Sequence, residues 1–159
     1  MRRALRYFLV IAAMGSLCFA AERKSWNKVR YVGGTNPIKA SPYDWNTTVT
    51  ITSNPDTVVL VIAPASVFGR QQTLRLKPSQ ITSVVSGPGA WQRVADVSGA
   101  QLPSKPPTLF GLLLDHAFMA ILYQSDDGKP AAILLDSYVA GQIGRVLEAL
   151  TGKPLEYAK

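Results

Sequence analysis

Polar and apolar residues alternate along much of the first half of the chain, and this pattern restricts the fold more than any other feature of the sequence. Alternating runs rich in β-branched residues lie at 28–32, 47–52 and 72–76, a continuously apolar run typical of a more buried strand lies at 57–62, and a further short run lies at 81–85. Because a period of two places successive side chains on opposite faces of a sheet, such runs predict strands. We therefore expect successive short strands between residues 26 and 85.

Turn signals separate these runs and also divide the second half of the chain. Asn54-Pro55-Asp56 predicts a hairpin between its flanking strands, and residues 77–80 predict a bend. Two further apolar strands, 117–123 and 131–135, flank an Asp-Gly turn at 125–129, which is typical of a β-hairpin.

One amphipathic helix is predicted at the C-terminus, over about 137–151. Its apolar stripe consists of Val139, Ile143, Val146, Leu147 and Leu150. Asp136 or Ser137 is expected to cap its start. Gly152 and Pro154 are expected to end it, since glycine favours the left-handed terminating conformation and proline prevents continuation.

The N-terminus has the layout of a bacterial signal peptide, 1–20. Arginines at positions 2, 3 and 6 precede an uncharged apolar run at 7–19, and small residues follow at Ala20 and Ala21. The apolar run is shorter than the roughly 20 residues that span a bilayer, which favours cleavage after Ala20 over an uncleaved anchor. Lipidation at Cys18 is a further alternative. Cleavage would leave one β-rich domain, 21–159, in the periplasm or outside the cell.

Cleavage would also remove the only cysteine, so the exported form would have neither a disulfide nor a thiol nucleophile. Loss of the three leader arginines lowers the formal net charge from +7 to +4. The remaining basic residues are scattered, which is typical of a solvated surface and does not indicate a nucleic-acid site.

Several short stretches resemble a group of small uncharacterised, exported or membrane-associated bacterial proteins with a pleckstrin-homology-like domain. The matching stretches are 29–35, 44–52, 76–84, 109–112, His116 at the start of a strand, and 147–154. The resemblance implies a mainly β (α+β) fold: an antiparallel pleckstrin-homology-like sheet or partly open barrel of about seven strands, capped by one C-terminal amphipathic helix. It implies no activity. Residues 94–107 are polar and proline-rich, where similar proteins often carry an apolar segment of membrane length.

No catalytic, metal or cofactor site is predicted. His116 is the only histidine, and its neighbour Asp115 would point to the opposite face of a strand, so we interpret His116 as structural. A Gly-x-Ser-x-Gly elbow is absent, and Gly33-Gly34-Thr35 lacks the rest of a phosphate loop.

The candidate interaction residues are aromatic side chains and prolines. Trp45 and Trp91 lie beside turn residues, and Pro103, Pro106 and Pro107 belong to a proline-rich connection at 101–107. These features favour a non-catalytic binding or scaffold module that contacts an unidentified envelope or extracellular protein. Peripheral association with an anionic membrane surface is the alternative. A hydrolase with a cryptic site is a third hypothesis.

Overall fold

The computed structural model describes residues 22–41, 43–53, 56–63, 69–106, 108–109, 112–113 and 117–159. The predicted signal peptide 1–20, its cleavage after Ala20, Pro107 and His116 lie outside the described residues. No helix in the described part of the chain has both the length and the hydropathy needed to cross a membrane.

The protein is mainly β, with two helices. The strands are β1 (Arg23–Gly34), β2 (Thr47–Ser53), β3 (Asp56–Ile62), β4 (Gln72–Leu76), β5 (Ile81–Ser86), β6 (Thr108–Leu109), β7 (Leu112–Leu113), β8 (Phe118–Gln124), β9 (Pro130–Asp136) and β10 (Leu155–Tyr157). The helices are α1 (Ala90–Ala95) and α2 (Ala140–Thr151), and a 3-10 turn spans Pro78–Gln80. Eight strands form one sheet in the order β10-β5-β8-β9-β1-β2-β3-β4, and β6 pairs with β7.

The alternating runs form strands where they were predicted. Strands β2 and β3 form the predicted antiparallel hairpin, in register from Thr47 opposite Ile62 to Ser53 opposite Asp56. Strands β8 and β9 form the second hairpin. Gly128 in its turn has φ +76°, which explains why glycine stands there.

The prediction of a wholly antiparallel sheet was wrong. The sheet is mixed, because β10 pairs with β5 in parallel. It is open and not closed into a barrel, since β4 and β10 stand at opposite edges. Parallel pairing requires a crossover connection, and α2 with its adjoining segments provides it on the way to β10. Three residues of strand after a helix give too short a pattern to be read from the sequence.

The C-terminal helix is confirmed, but it begins later than predicted. Its N-cap is Val139, without a side-chain cap hydrogen bond. Asp136 does not cap the helix, because it ends β9 and forms an ion pair with Arg30. Its end is as expected: Gly152 adopts the left-handed conformation at φ +69°. A second helix, α1, precedes most of the polar, proline-rich stretch 94–107 and was not predicted. It is only six residues long, which is too short for a helical period to emerge in the sequence.

The two helices pack on opposite faces of the sheet. Alternate residues of β8 show this directly: Met119 and Ile121 belong to the core cluster that contains Ile143 of α2. Phe118 and Ala120 belong to a second cluster. That cluster includes Val94 of α1. The sheet therefore has a face under α2 and a face under α1.

Candidate functional site

A row of side chains crosses the sheet on the α1 face. Arg30 of β1 lies opposite Asp136 of β9, and Phe118 of β8 lies opposite the same Asp136. Residues directly opposite each other in antiparallel strands share a face. Val29 and Tyr31 belong to the core under α2, so alternation places Arg30 on the α1 face with Asp136 and Phe118.

Arg30 and Asp136 form an ion pair inside the protein. Arg30 Nη1 donates to Asp136 Oδ2 at 3.2 Å, and the side chains are only 6% and 4% exposed. Asp136 Oδ1 accepts a hydrogen bond from the Ala117 N–H at 3.0 Å. Arg30 Nε is the one buried side-chain polar atom without a hydrogen-bond partner among the described residues. Because desolvation of two charges largely offsets their attraction, such a pair contributes little net stability.

Trp45 covers the guanidinium group of Arg30. The Arg30 Cζ atom lies 4.0 Å from the centroid of the Trp45 ring, which is well within the range of a cation–π interaction. Trp45 as a residue is 41% exposed. Trp45 is therefore fixed on one side by a buried cation and open to solvent on the other.

Asn46 holds the segment that carries Trp45. Its Oδ1 accepts hydrogen bonds from the Tyr31 N–H at 2.8 Å and from the Thr47 hydroxyl at 2.7 Å. Its Nδ2 donates to the Ser41 carbonyl oxygen at 2.6 Å. A buried amide with three partners ties the turn to β1, so the position of Trp45 is set by the backbone as well as by Arg30.

Tyr138 lies next to Trp45. The two ring centroids are 5.6 Å apart with an interplanar angle of 54°, within the range of favourable aromatic pairs. Its neighbour Ser137 is anchored, since the Ser137 Oγ donates to the Lys28 carbonyl oxygen at 2.6 Å and accepts from the Val139 N–H at 3.2 Å. Tyr138 itself is 66% exposed.

We call this surface the aromatic–arginine patch: Trp45 and Tyr138, with the Arg30–Asp136 pair under Trp45. These are two of the four exposed large hydrophobic side chains among the described residues. A third, Tyr43, is 51% exposed and precedes Trp45 by two residues in the chain. The fourth, Tyr157, is on β10 at the edge of the sheet.

Trp91 lies at the other end of the same row. Its ring packs edge-on against Phe118, with centroids 5.3 Å apart and an interplanar angle of 61°. It is half-buried against the cluster under α1. The structure thus brings both tryptophans that were predicted to be interaction residues to one face of the sheet. Trp45 is the more exposed of the two.

The proline-rich connection is anchored at its first residue. Gln101 pairs with Gly34 through two backbone hydrogen bonds, at 2.8 and 3.1 Å. Gly33 makes this approach possible, because a Cβ atom there would meet the Gln101 carbonyl oxygen. Beyond this anchor Pro103 and Pro106 are half-buried, and Lys105 is exposed. The predicted proline site is therefore on the surface as far as Pro106.

A partly buried tyrosine network lies on the α2 face of the sheet, opposite to the patch. The Tyr31 hydroxyl donates to the Asn36 carbonyl oxygen at 3.0 Å, and Asn36 Nδ2 donates to the Tyr123 hydroxyl at 2.9 Å. Burial, with a smaller contribution from the nearby Tyr123, holds the pKa of Tyr31 well above its usual value. Tyr31 is therefore a neutral core residue.

One groove of about 340 Å³ lies away from the patch, between α2 and the place where the N-terminal end of β1 pairs with the C-terminal end of β2. Its lining is partly apolar and partly charged, consisting of Glu22, Lys24, Ile51, Ser53, Arg145, Val146, Ala149 and Leu150. Among the described residues no three of the side chains His, Cys, Asp or Glu are grouped to hold a metal ion.

Arg30, Asp136 and Tyr138 were not identified from the sequence. Asp136 was interpreted as a helix cap, and its partner Arg30 lies 106 residues earlier in the chain. The only signal for the ion pair was the position of Arg30 between Val29 and Tyr31, inside a run of positions that are buried. A buried charge requires a partner.

Comparison with known proteins gives no relative. No protein-family model, no curated protein and no solved structure matches the chain. The arguments for function therefore depend on the geometry of the patch.

Proposed function

We propose that this chain is an exported, non-catalytic binding module of the bacterial cell envelope, which contacts a partner protein through the aromatic–arginine patch. One observation carries the proposal. Trp45 and Tyr138 stay exposed to solvent while Trp45 rests 4.0 Å from a buried guanidinium group.

The patch has the composition of a protein-binding hot spot. Trp, Tyr and Arg are the residues most enriched where truncation costs the most binding energy. The Trp45 ring already packs on Arg30, and Asn46 holds the neighbouring backbone. Binding of a partner protein would therefore cost little side-chain entropy at Trp45. Because the buried ion pair adds little net stability, we assign to it the role of positioning Trp45.

Two further parts of the proposal have other support. The absence of a catalytic role is inferred from the sequence, which has a single histidine and no nucleophile elbow. A pleckstrin-homology-like origin of the fold is supported by a run of antiparallel strands followed by the helix α2, while α1 and the parallel strand β10 depart from that order.

Site-specific photocrosslinking in the native host tests the proposal. A photoreactive phenylalanine analogue replaces Tyr138 in one strain and Tyr157 in another. The two tyrosines are a matched pair, since they are 66% and 69% exposed and differ in whether they belong to the patch. We expect a crosslinked protein adduct from position 138, absent from position 157 and abolished by Trp45→Ala.

Adducts of equal yield from both positions, or from neither, would overturn the proposal. Crosslinking of position 138 to lipid alone would instead support peripheral membrane association. Tyr and Trp side chains are enriched at membrane interfaces, so this outcome would assign the same patch to a different partner.

A further inference from the structure

We further propose that the groove beside α2 binds a single-chain amphiphile with one carboxylate, such as a fatty acid. This site is independent of the proposed function, because the groove and the aromatic–arginine patch lie on different faces of the sheet. Ile51 of the groove belongs to the core under α2, whereas Arg30 of the patch is on the α1 face.

The groove exists because α2 covers only part of its side of the sheet. The helix packs mainly on β5, β8 and β10. About 340 Å³ remain between the helix and the place where Lys24 of β1 pairs with Ile51 of β2. Ala149 lines this space with only a methyl group and is exposed. The volume is at the small end of the range for ligand pockets, so it fits one acyl chain better than the two chains of a phospholipid.

The floor of the groove is apolar. Ile51 is 3% exposed, and Val146 and Leu150 are half-buried against the same core cluster. Because residues four apart on a helix are neighbours on its surface, Val146 and Leu150 form a continuous apolar wall along α2. An acyl chain that lies on this wall removes apolar surface from water, which is the main driving force for such binding.

The rim of the groove carries one uncompensated positive charge. Three of its lining side chains are charged: Glu22, Lys24 and Arg145. The Lys24 Nζ and Glu22 Oε1 atoms are 2.9 Å apart, so these two charges compensate each other. Arg145 is exposed and forms no ion pair within the part of the chain that the structure describes.

Arg145 therefore selects the head group of the ligand. A planar guanidinium group binds a carboxylate through two parallel hydrogen bonds. Glu148, three residues further along α2, is directed to β10, because its Oε1 accepts a hydrogen bond from the Leu155 N–H at 3.3 Å. An apolar wall beside an unpaired arginine matches an acyl chain that ends in a carboxylate.

Isothermal titration calorimetry of the purified exported protein with sodium dodecanoate, below the concentration at which micelles form, tests the inference. Dodecyltrimethylammonium has the same chain and the opposite charge, and is the matched ligand. We expect dodecanoate to bind at a single site and more tightly than the cationic ligand. From octanoate to dodecanoate, each methylene group that enters the groove should lower the dissociation constant by up to about four-fold.

Two variants locate the site. Ala149→Phe fills the groove and should abolish dodecanoate binding, while Ala95→Phe, at an exposed alanine of α1, should bind as the wild type does. Arg145→Gln should raise the dissociation constant of dodecanoate about five-fold, the upper effect of an exposed ion pair, and should not weaken binding of the cationic ligand. Arg75→Gln, at an exposed arginine of β4, is its control. Circular dichroism verifies that each variant is folded.

Equal affinity for the two ligands, or dodecanoate binding that survives Ala149→Phe, would overturn the inference, as would a wild-type protein that binds no dodecanoate. The crosslink from position 138 separates this site from the patch. We expect Ala149→Phe to keep that crosslink, and Trp45→Ala to keep dodecanoate binding.

Discussion

Asp136→Ala should destabilise the protein strongly, because it leaves a buried cation without its counterion. The variant removes the Arg30–Asp136 contact of 3.2 Å and the hydrogen bond from the Ala117 N–H. Breaking a buried ion pair from one side costs about 3–5 kcal/mol. Domains of this size are stable by only about 5–15 kcal/mol, so a large part of the free energy of unfolding should be lost.

Replacing both partners should remove most of that cost. In the double variant Arg30→Met and Asp136→Leu, neither charge remains to be desolvated. Substitution of a buried pair by apolar residues of similar volume is often neutral or stabilising. Here the Ala117 N–H loses its acceptor, which costs about 1–3 kcal/mol. We expect the double variant to be more stable than Asp136→Ala, and less stable than the wild type.

Urea denaturation followed by far-ultraviolet circular dichroism measures these free energies. The slope with urea should be the same in all variants, since the surface exposed on unfolding does not change. Asp56→Ala, at an exposed carboxylate, is the control and should change the free energy of unfolding by no more than about 0.5 kcal/mol. A cost of less than about 1 kcal/mol for Asp136→Ala would refute the coupling, as would a double variant no more stable than the single one.

Three other outcomes are expected. Gly141→Ala should stabilise the protein by up to about 1 kcal/mol, because a Cβ there meets no atom; Gly144→Ala should stabilise it less, because its Cβ would meet the side chain of Leu155 at 2.8 Å and that side chain would have to shift. Thermal denaturation compares the two, and equal melting temperatures would contradict the packing of α2 on β10. Burial raises the pKa of Tyr31, so above pH of about 10 the unfolded state loses its proton first and stability should fall with pH. Tyr31→Phe should reduce that slope in urea denaturation at pH 9–11, and an unchanged slope would argue against the assignment. Mass spectrometry of the exported protein should find Ala21 at its N-terminus; a retained leader would contradict export by cleavage.

Local patterns predicted the regular elements that are long enough to have a period. The alternation at 47–52 became β2, the apolar run at 57–62 became β3, and the stripe that includes Ile143 and Leu147 became the buried side of α2. In these elements burial of one face determines both the sequence pattern and the structure. Helix α1 has six residues and strand β10 has three, which are too few for a helical or strand period to be recognised in the sequence.

Tertiary context determined the rest, and the patch belongs to this part. Trp45 was identified as a surface aromatic residue from its neighbours in the chain. Arg30, which it covers, was not identified, because its partner Asp136 becomes adjacent only when β1 pairs with β9. The same pairing removes Asp136 from the helix start that its sequence position suggested. Strand order cannot be read from alternation alone, because alternation specifies faces and not neighbours.

Radical footprinting in the cell envelope tests the role of the patch most directly. Oxidation of Trp45, Tyr138 and the control Tyr157 is measured by mass spectrometry, in the purified protein and in intact envelopes. We expect Trp45 and Tyr138 to become protected in the envelope while Tyr157, which is about as exposed as Tyr138 in the free protein, keeps its reactivity. Equal reactivity of Trp45 and Tyr138 in both preparations would contradict a binding role for the patch.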